Sequence, residues 1–288
     1  VIIKMTNKHL STPIFEEEWD LPQDFNLFST HEVRTIHFPK IKGNNHPNFL
    51  QIECLEPSSP LDIMNTSTSE HQYDATGHCV WAGALLLVAC IHDPLIVKCT
   101  TNGQRMVELG CGTGIGGLAM MLACKDAGPD TVCFTDYDPA ALKVCQRNCS
   151  LNKLSRESYS VCRFTWGEGN AADAIGMFDV ALATDVLYDV DLCSPLFSTV
   201  SQCLSLDGTF ILSHVPRACY NEGNPPEAIE NLEQYIINIA RDYGLSLRKV
   251  IRPPCKNETV QEEFSLPFSE RIFPVDSGVM IFHKADLI

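Results

Sequence analysis

Apolar positions change period several times along the chain, and each change predicts an element. Between residues 78 and 92, Val80, Trp81, Ala84, Leu85, Val88 and Ile91 recur at helical spacing over a broad face, and Pro94 is expected to stop that helix. Asn102-Gly103 then turns the chain into a short strand at 105–109. A helical stripe follows in Ile115, Leu118, Ala119, Leu122 and Ala123, closed by Asp126 and Gly128-Pro129. Residues 131–135 form a second apolar strand. Pro139 stands near the start of the next helix, where its missing N–H costs nothing. That helix turns Ala141, Leu142, Cys145 and Cys149 inward. A third strand is expected at 159–165. The nearly continuous apolar run 177–183 suits a strand covered on both faces of a parallel sheet.

Further on, Asp191 is expected to cap a helix carrying Leu192, Leu196 and Val200, and Gly208 to precede a strand at 209–215. A long helix is expected over 226–243, with Ile229, Leu232, Ile236, Ile239 and Tyr243 on one side. The last two strands fall at 245–251 and 278–283. No helical pattern separates them, so they are free to pair antiparallel. The stretch between them holds Pro253, Pro254, Pro267 and Pro274 and reads as loop or irregular lid.

Strand and helix alternate with short links. This implies an α/β fold: a three-layer, Rossmann-like, seven-stranded sheet with its last strand antiparallel. Residues 77–288 form that domain. Residues 1–76, punctuated by six prolines, form an N-terminal extension. Its runs 33–38 and 49–55 could pair as a β-hairpin against the main domain. In such sheets ligands bind beyond the carboxyl ends of the strands, and Glu108, Asp136, Trp166 and Asp185 all fall at or after such ends.

Composition narrows the partners. The 288 residues carry 21 basic and 36 acidic side chains, a formal charge of −15, which argues against stable nucleic-acid binding and suits a basic protein or peptide. Fourteen cysteines are scattered without CxxC or zinc-ligand spacing, so no metal site is expected. Free thiols point to a reducing compartment, cytoplasmic with the nucleus open as a second setting. No signal peptide is visible and the longest apolar run, 80–91, is too short to span a bilayer, so no membrane association is expected. A monomer is expected.

The chemistry centres on Met106-Val107-Glu108-Leu109-Gly110-Cys111-Gly112-Thr113-Gly114-Ile115-Gly116-Gly117. An apolar strand ends in an acid, glycines follow, and a helix begins with free N–H groups. The pattern satisfies the dinucleotide fingerprint as well as an adenosyl site, and Asp136 stands where an acid could hold either ribose. Two features favour S-adenosylmethionine over NAD. Glu108 would repel a pyrophosphate beside it, and no second phosphate loop is visible.

Val107-Glu108-Leu109-Gly110-Cys111-Gly112-Thr113-Gly114 resembles the first motif of the class I, seven-β-strand S-adenosylmethionine-dependent methyltransferases. More narrowly, the chain resembles the small eukaryotic protein lysine methyltransferases. The resemblance rests on Trp81 within residues 77–84, on Asp185-Val186-Leu187-Tyr188, and on Thr135-Asp136, Asn148 and Trp166-Gly167. It covers residues 77–215 well and 226–285 only as topology.

The resemblance implies methyl transfer from S-adenosyl-L-methionine to a protein side chain, the lysine ε-amine first, with S-adenosyl-L-homocysteine as product. Gly110, Gly112 and Gly114 would line the methionine tail, with Glu108 near its amino-acid or sulfonium end. Asp136 would hold the ribose. Tyr137 and Trp166 would flank the adenine, Gly167 would donate a backbone contact, and Trp81 and Thr184 would complete the pocket. Asp185 would orient the amine and Tyr188 would wall its channel. Apart from the resemblance, His214 and Arg217 are candidate rim residues, and Cys111 lies inside the glycine turn, where a thiol could react, with no function assigned to it. A small-molecule or histidine substrate, or a non-catalytic protein that keeps the fold, stays open. DNA is disfavoured, because Asp185-Val186-Leu187-Tyr188 replaces an Asn/Asp-Pro-Pro-aromatic element.

Overall fold

The structure is a computed structural model. It describes residues 31–39, 49–55, 75–100, 103–123, 128–216, 225–253, 273–274 and 276–284. Two strands open it, β1 (His31–His37) and β2 (Phe49–Leu55), paired antiparallel. A 3-10 turn (Ala75–His78) leads to α1 (Ala82–Cys90) and α2 (Pro94–Cys99). Then come β3 (Arg105–Leu109), α3 (Ile115–Ala123), β4 (Thr131–Asp136), α4 (Pro139–Leu151) and β5 (Tyr159–Arg163). The chain continues through α5 (Ala171–Ile175), β6 (Phe178–Thr184), a 3-10 turn (Val190–Leu192), α6 (Cys193–Cys203) and β7 (Leu204–His214). It closes with α7 (Pro226–Glu230), α8 (Leu232–Asp242), β8 (Leu245–Ile251) and β9 (Gly278–Lys284).

Seven strands form one sheet in the order β5-β4-β3-β6-β7-β9-β8. The first five are mutually parallel, and β9 runs antiparallel to both its neighbours. The order reverses at β3 and β6, opening a crevice above their carboxyl ends. One face of the sheet packs against α1, α3 and α4. Leu50, Ile52 and Cys54 of the hairpin, all fully buried, join that core. The other face packs against α6 and α8, with Phe197, Phe210 and Phe282 in mutual ring contact.

Five boundaries depart from the sequence reading, each for a local reason. Pro94 does not end a helix but starts one, because Asp93 accepts the Leu95 N–H at 2.8 Å as an N-cap. The preceding helix is also shorter, with Trp81 outside it as the N-cap residue. Asp191 caps nothing at α6; Asp189 instead accepts the Asp191 N–H in the 3-10 turn. β7 begins at Leu204, before Gly208, with a register shift opposite Phe178 and Val180. The long C-terminal helix breaks at Asn231, whose side chain caps α8 by accepting the Gln234 N–H at 3.0 Å. Asp126, the predicted closer of α3, lies outside the described residues, as does Arg217. Among the described residues, no helix is long and apolar enough to cross a membrane.

Candidate active site

A cavity of about 510 Å³ opens above β3, β4 and β6, within the usual range for small-ligand pockets. Of the predicted residues, Trp81, Gly110, Gly112, Asp136, Tyr137, Trp166, Thr184, Asp185 and Tyr188 line it. Glu108, Gly114 and Gly167 do not.

The turn after β3 is built for close approach. Gly110, Gly112 and Gly114 have φ of 68°, 49° and 78°, a region that disfavours any side chain. A Cβ on Gly110 would lie 2.9 Å from the Trp166 ring, and one on Gly112 would lie 2.9 Å from the Gly77 carbonyl. The turn is fastened to β4, since the Cys111 N–H donates to the Thr135 carbonyl at 2.9 Å. Asp136 takes up the next strain point. Its Oδ2 accepts the Gly112 N–H at 2.9 Å and its Oδ1 accepts the Asp138 N–H at 3.0 Å. A carboxylate has about four acceptor directions. The side chain braces the loop while its carboxylate lines the cavity.

Glu108 is a correction. It sits inside β3, fully buried, and its side chain points at the first turn of α3. Oε2 accepts the Gly117 N–H at 2.9 Å, and a side chain on Gly116 would strike the carboxylate. Burial pushes its pKa up to about 8, against the pull of the Gly117 and Gly116 N–H groups. Glu108 therefore supports a helix and does not repel a ligand. A pyrophosphate is opposed instead by the cavity lining, which among the described residues holds Asp136, Asp138 and Asp185 and no lysine, arginine or histidine. Gly114 lies beneath the turn, against Cys145, and the Gly167 N–H donates to Thr199 Oγ1 at 3.2 Å. Cys111 lines the cavity, but burial pushes its thiol up to about 12, so it is protonated and unreactive.

Asp185 follows β6 with φ of 59°, an uncommon left-handed conformation that aspartate tolerates. A closed ring of three hydrogen bonds holds it. The Asp185 N–H donates to the Ser213 carbonyl at 2.8 Å, Ser213 Oγ donates to the Gly83 carbonyl at 2.6 Å, and the Gly83 N–H donates to Asp185 Oδ2 at 3.0 Å. Gly83 must be glycine, because a Cβ there would lie 2.6 Å from that of Asp185. Gly83 falls within the 77–84 motif but sequence reasoning gave it no role, and Ser213 carries no motif signal. Tyr188 and Tyr137 stand at the mouth, each nearly half exposed (46% and 47%), which leaves their rings accessible to an incoming chain. Trp81 is fixed from behind, its Nε1–H donating to the Thr76 carbonyl at 2.8 Å. His214 is buried at the end of β7 and does not line the cavity.

A family model described as lysine methyltransferase matches residues 60–233, more than half of the chain. The chain belongs to that family. It is 33% identical over 165 residues to mouse methyltransferase-like protein 22, covering 51% of this chain and 39% of that one. It is 31% identical over 146 residues to human protein-lysine N-methyltransferase EEF2KMT, covering 46% and 42%. The zebrafish electron transfer flavoprotein beta subunit lysine methyltransferase is 28% identical over 158 residues, covering 54% and 57%. The matched segment thus spans 39% to 57% of the length of these relatives.

Proposed function

We propose that this protein transfers a methyl group from S-adenosyl-L-methionine to the ε-amine of a lysine in a basic protein or peptide. One observation carries the reading: a cavity beyond the β3 and β6 ends whose described lining combines a glycine turn, three carboxylates and no basic side chain. A sulfonium-bearing nucleoside suits such a lining, whereas a diphosphate would meet the like charge of Asp136, Asp138 and Asp185.

The ligand supplies an electrophilic methyl carbon on a sulfonium sulfur. The glycine turn would let the amino-acid tail lie against backbone, Asp136 would accept from the ribose, and Trp166 and Tyr137 would flank the base. Lysine is protonated near neutral pH, so its ammonium must lose a proton before nitrogen can attack. Asp185 attracts and orients the ammonium, and the Tyr188 ring offers its face to the cation. After proton loss to solvent, the nitrogen lone pair forms the C–N bond as the C–S bond breaks, leaving S-adenosyl-L-homocysteine. In-line placement of donor and acceptor is the main contribution asked of these residues. Titration calorimetry with S-adenosyl-L-homocysteine, with NAD as control, tests the cofactor. Binding in the micromolar range, about −8 kcal/mol, is expected for the adenosyl ligand alone. Radiolabelled methyl transfer into a cell extract, followed by mapping of the labelled residue, tests the acceptor, and label on histidine or a small molecule would overturn lysine.

A further inference from the structure

No described residue of β1 or β2 lines the cavity, yet three of their attachments reach residues that form its wall or adjoin it. Asn148 of α4 is the centre of this arrangement. It is fully buried. Its Oδ1 accepts the Glu53 N–H at 2.7 Å, while Nδ2 donates to the Glu53 carbonyl at 3.0 Å and to the Thr113 carbonyl at 2.9 Å. One turn later Asn152 repeats the two-way pairing on Gln51, with bonds of 2.9 and 2.6 Å. The two asparagines read alternate peptides of β2 and stand in for a neighbouring strand. They differ in the remaining N–H bond. Asn152 gives it back to the Asn148 carbonyl within α4 at 2.8 Å, whereas Asn148 gives it to the glycine turn. Thr113 lines the cavity.

Two further attachments reach the same wall. Leu55 forms a parallel bridge with Cys79, and His31 Nε2 lies 3.1 Å from His78 Nδ1. Cys79 and Gly77, on either side of His78, both line the cavity, and Gly77 is the residue against which Gly112 closes.

We propose that Asn148 is a positioning residue that couples docking of the β1–β2 hairpin to the conformation of the cofactor turn. The coupling rests on the reading of this cavity as an adenosyl site. It is reciprocal by thermodynamic necessity: a ligand that orders the turn tightens the hairpin, and a docked hairpin tightens the ligand by the same factor. A buried amide with partners on both sides transmits either change, because no water replaces a bond it loses.

Hydrogen exchange of the full chain with and without saturating S-adenosyl-L-homocysteine tests this. In the wild type the ligand is expected to slow exchange of the Glu53 amide, although no described residue of β1 or β2 lines the cavity. Asn148→Ala is expected to weaken the ligand about tenfold and abolish that protection, with Asn152→Ala speeding exchange at Gln51 but leaving ligand-induced protection at Glu53. Asn148→Ala binding within about twofold of wild type, or protecting Glu53 as fully, overturns the coupling. Saturated wild-type protein with unchanged exchange at Glu53 overturns it too, even where Asn148→Ala does not fold. Wild-type protein that binds no adenosyl ligand overturns the cofactor reading itself, and the coupling with it.

Discussion

The ends of β3 and β6 invite comparison, because each delivers an acid to the first turn of a helix. Glu108 accepts from Gly117 of α3, and Asp185 accepts from Gly83 of α1. Their fates differ by a few ångströms of chain. Glu108 lies one residue inside its strand, so pleating aims it into the helix layer, where burial lifts its pKa to about 8. Asp185 lies one residue past its strand, in a left-handed turn, so its carboxylate caps α1 and lines the cavity together. Of these two acids, the one inside its strand is held in the helix layer and the one past its strand lines the cavity.

The sharpest way to break the comparison is Asp185→Asn. Asparagine keeps an oxygen for the Gly83 N–H but loses the charge, so methyl transfer is expected to fall about 100-fold with cofactor affinity held within about threefold. Steady-state kinetics beside calorimetry check this, and full activity in the variant would return Asp185 to a purely structural role like that of Glu108. Asp136→Ala is expected to act on the opposite quantity, weakening adenosyl-ligand binding by about tenfold or more, near 1.4 kcal/mol. Gly83→Ala drives a methyl into Asp185 from α1. We expect about a tenfold loss in kcat with a smaller change in cofactor Kd, because the acid shifts while the glycine turn does not.

A prediction of a different kind concerns Glu108 and stability alone. Its folded pKa of about 8 lies above the ordinary value of 4.5, so folding favours the protonated form. That contribution is complete below about 4.5 and is lost as pH rises through about 8, with a slope of up to about 1.4 kcal/mol per unit. Glu108→Gln keeps an acceptor for Gly117 and removes the titration. The variant's advantage in thermal stability over wild type should therefore grow between about pH 5 and pH 8. An advantage independent of pH would mean Glu108 is ionised in the fold.

Much of the site was legible because its parts are local. Gly110, Gly112 and Gly114 announce a turn, and Asp136 ends one apolar strand while Asp185 follows another. Trp81 was legible by resemblance, although periodicity assigned it to a helix face and it is the residue before the helix. Glu108 was misread because a strand-end acid carries no mark of which layer it faces. The roles of Gly83 and Ser213 were invisible because they meet Asp185 only when α1, β6 and β7 are brought together.

The sequence by itself determined the alternation of elements, the glycine turn and the acids that follow the strands, since periodicity, φ preference and charge act over a few residues. Tertiary structure alone decided which acid faces the cavity, which asparagine reaches the glycine turn, and where the hairpin is anchored. Those outcomes depend on contacts between residues about a hundred positions apart, such as Asn148 with Glu53 and Asp185 with Gly83. Such contacts are fixed by packing of whole elements, and no short stretch of chain encodes them.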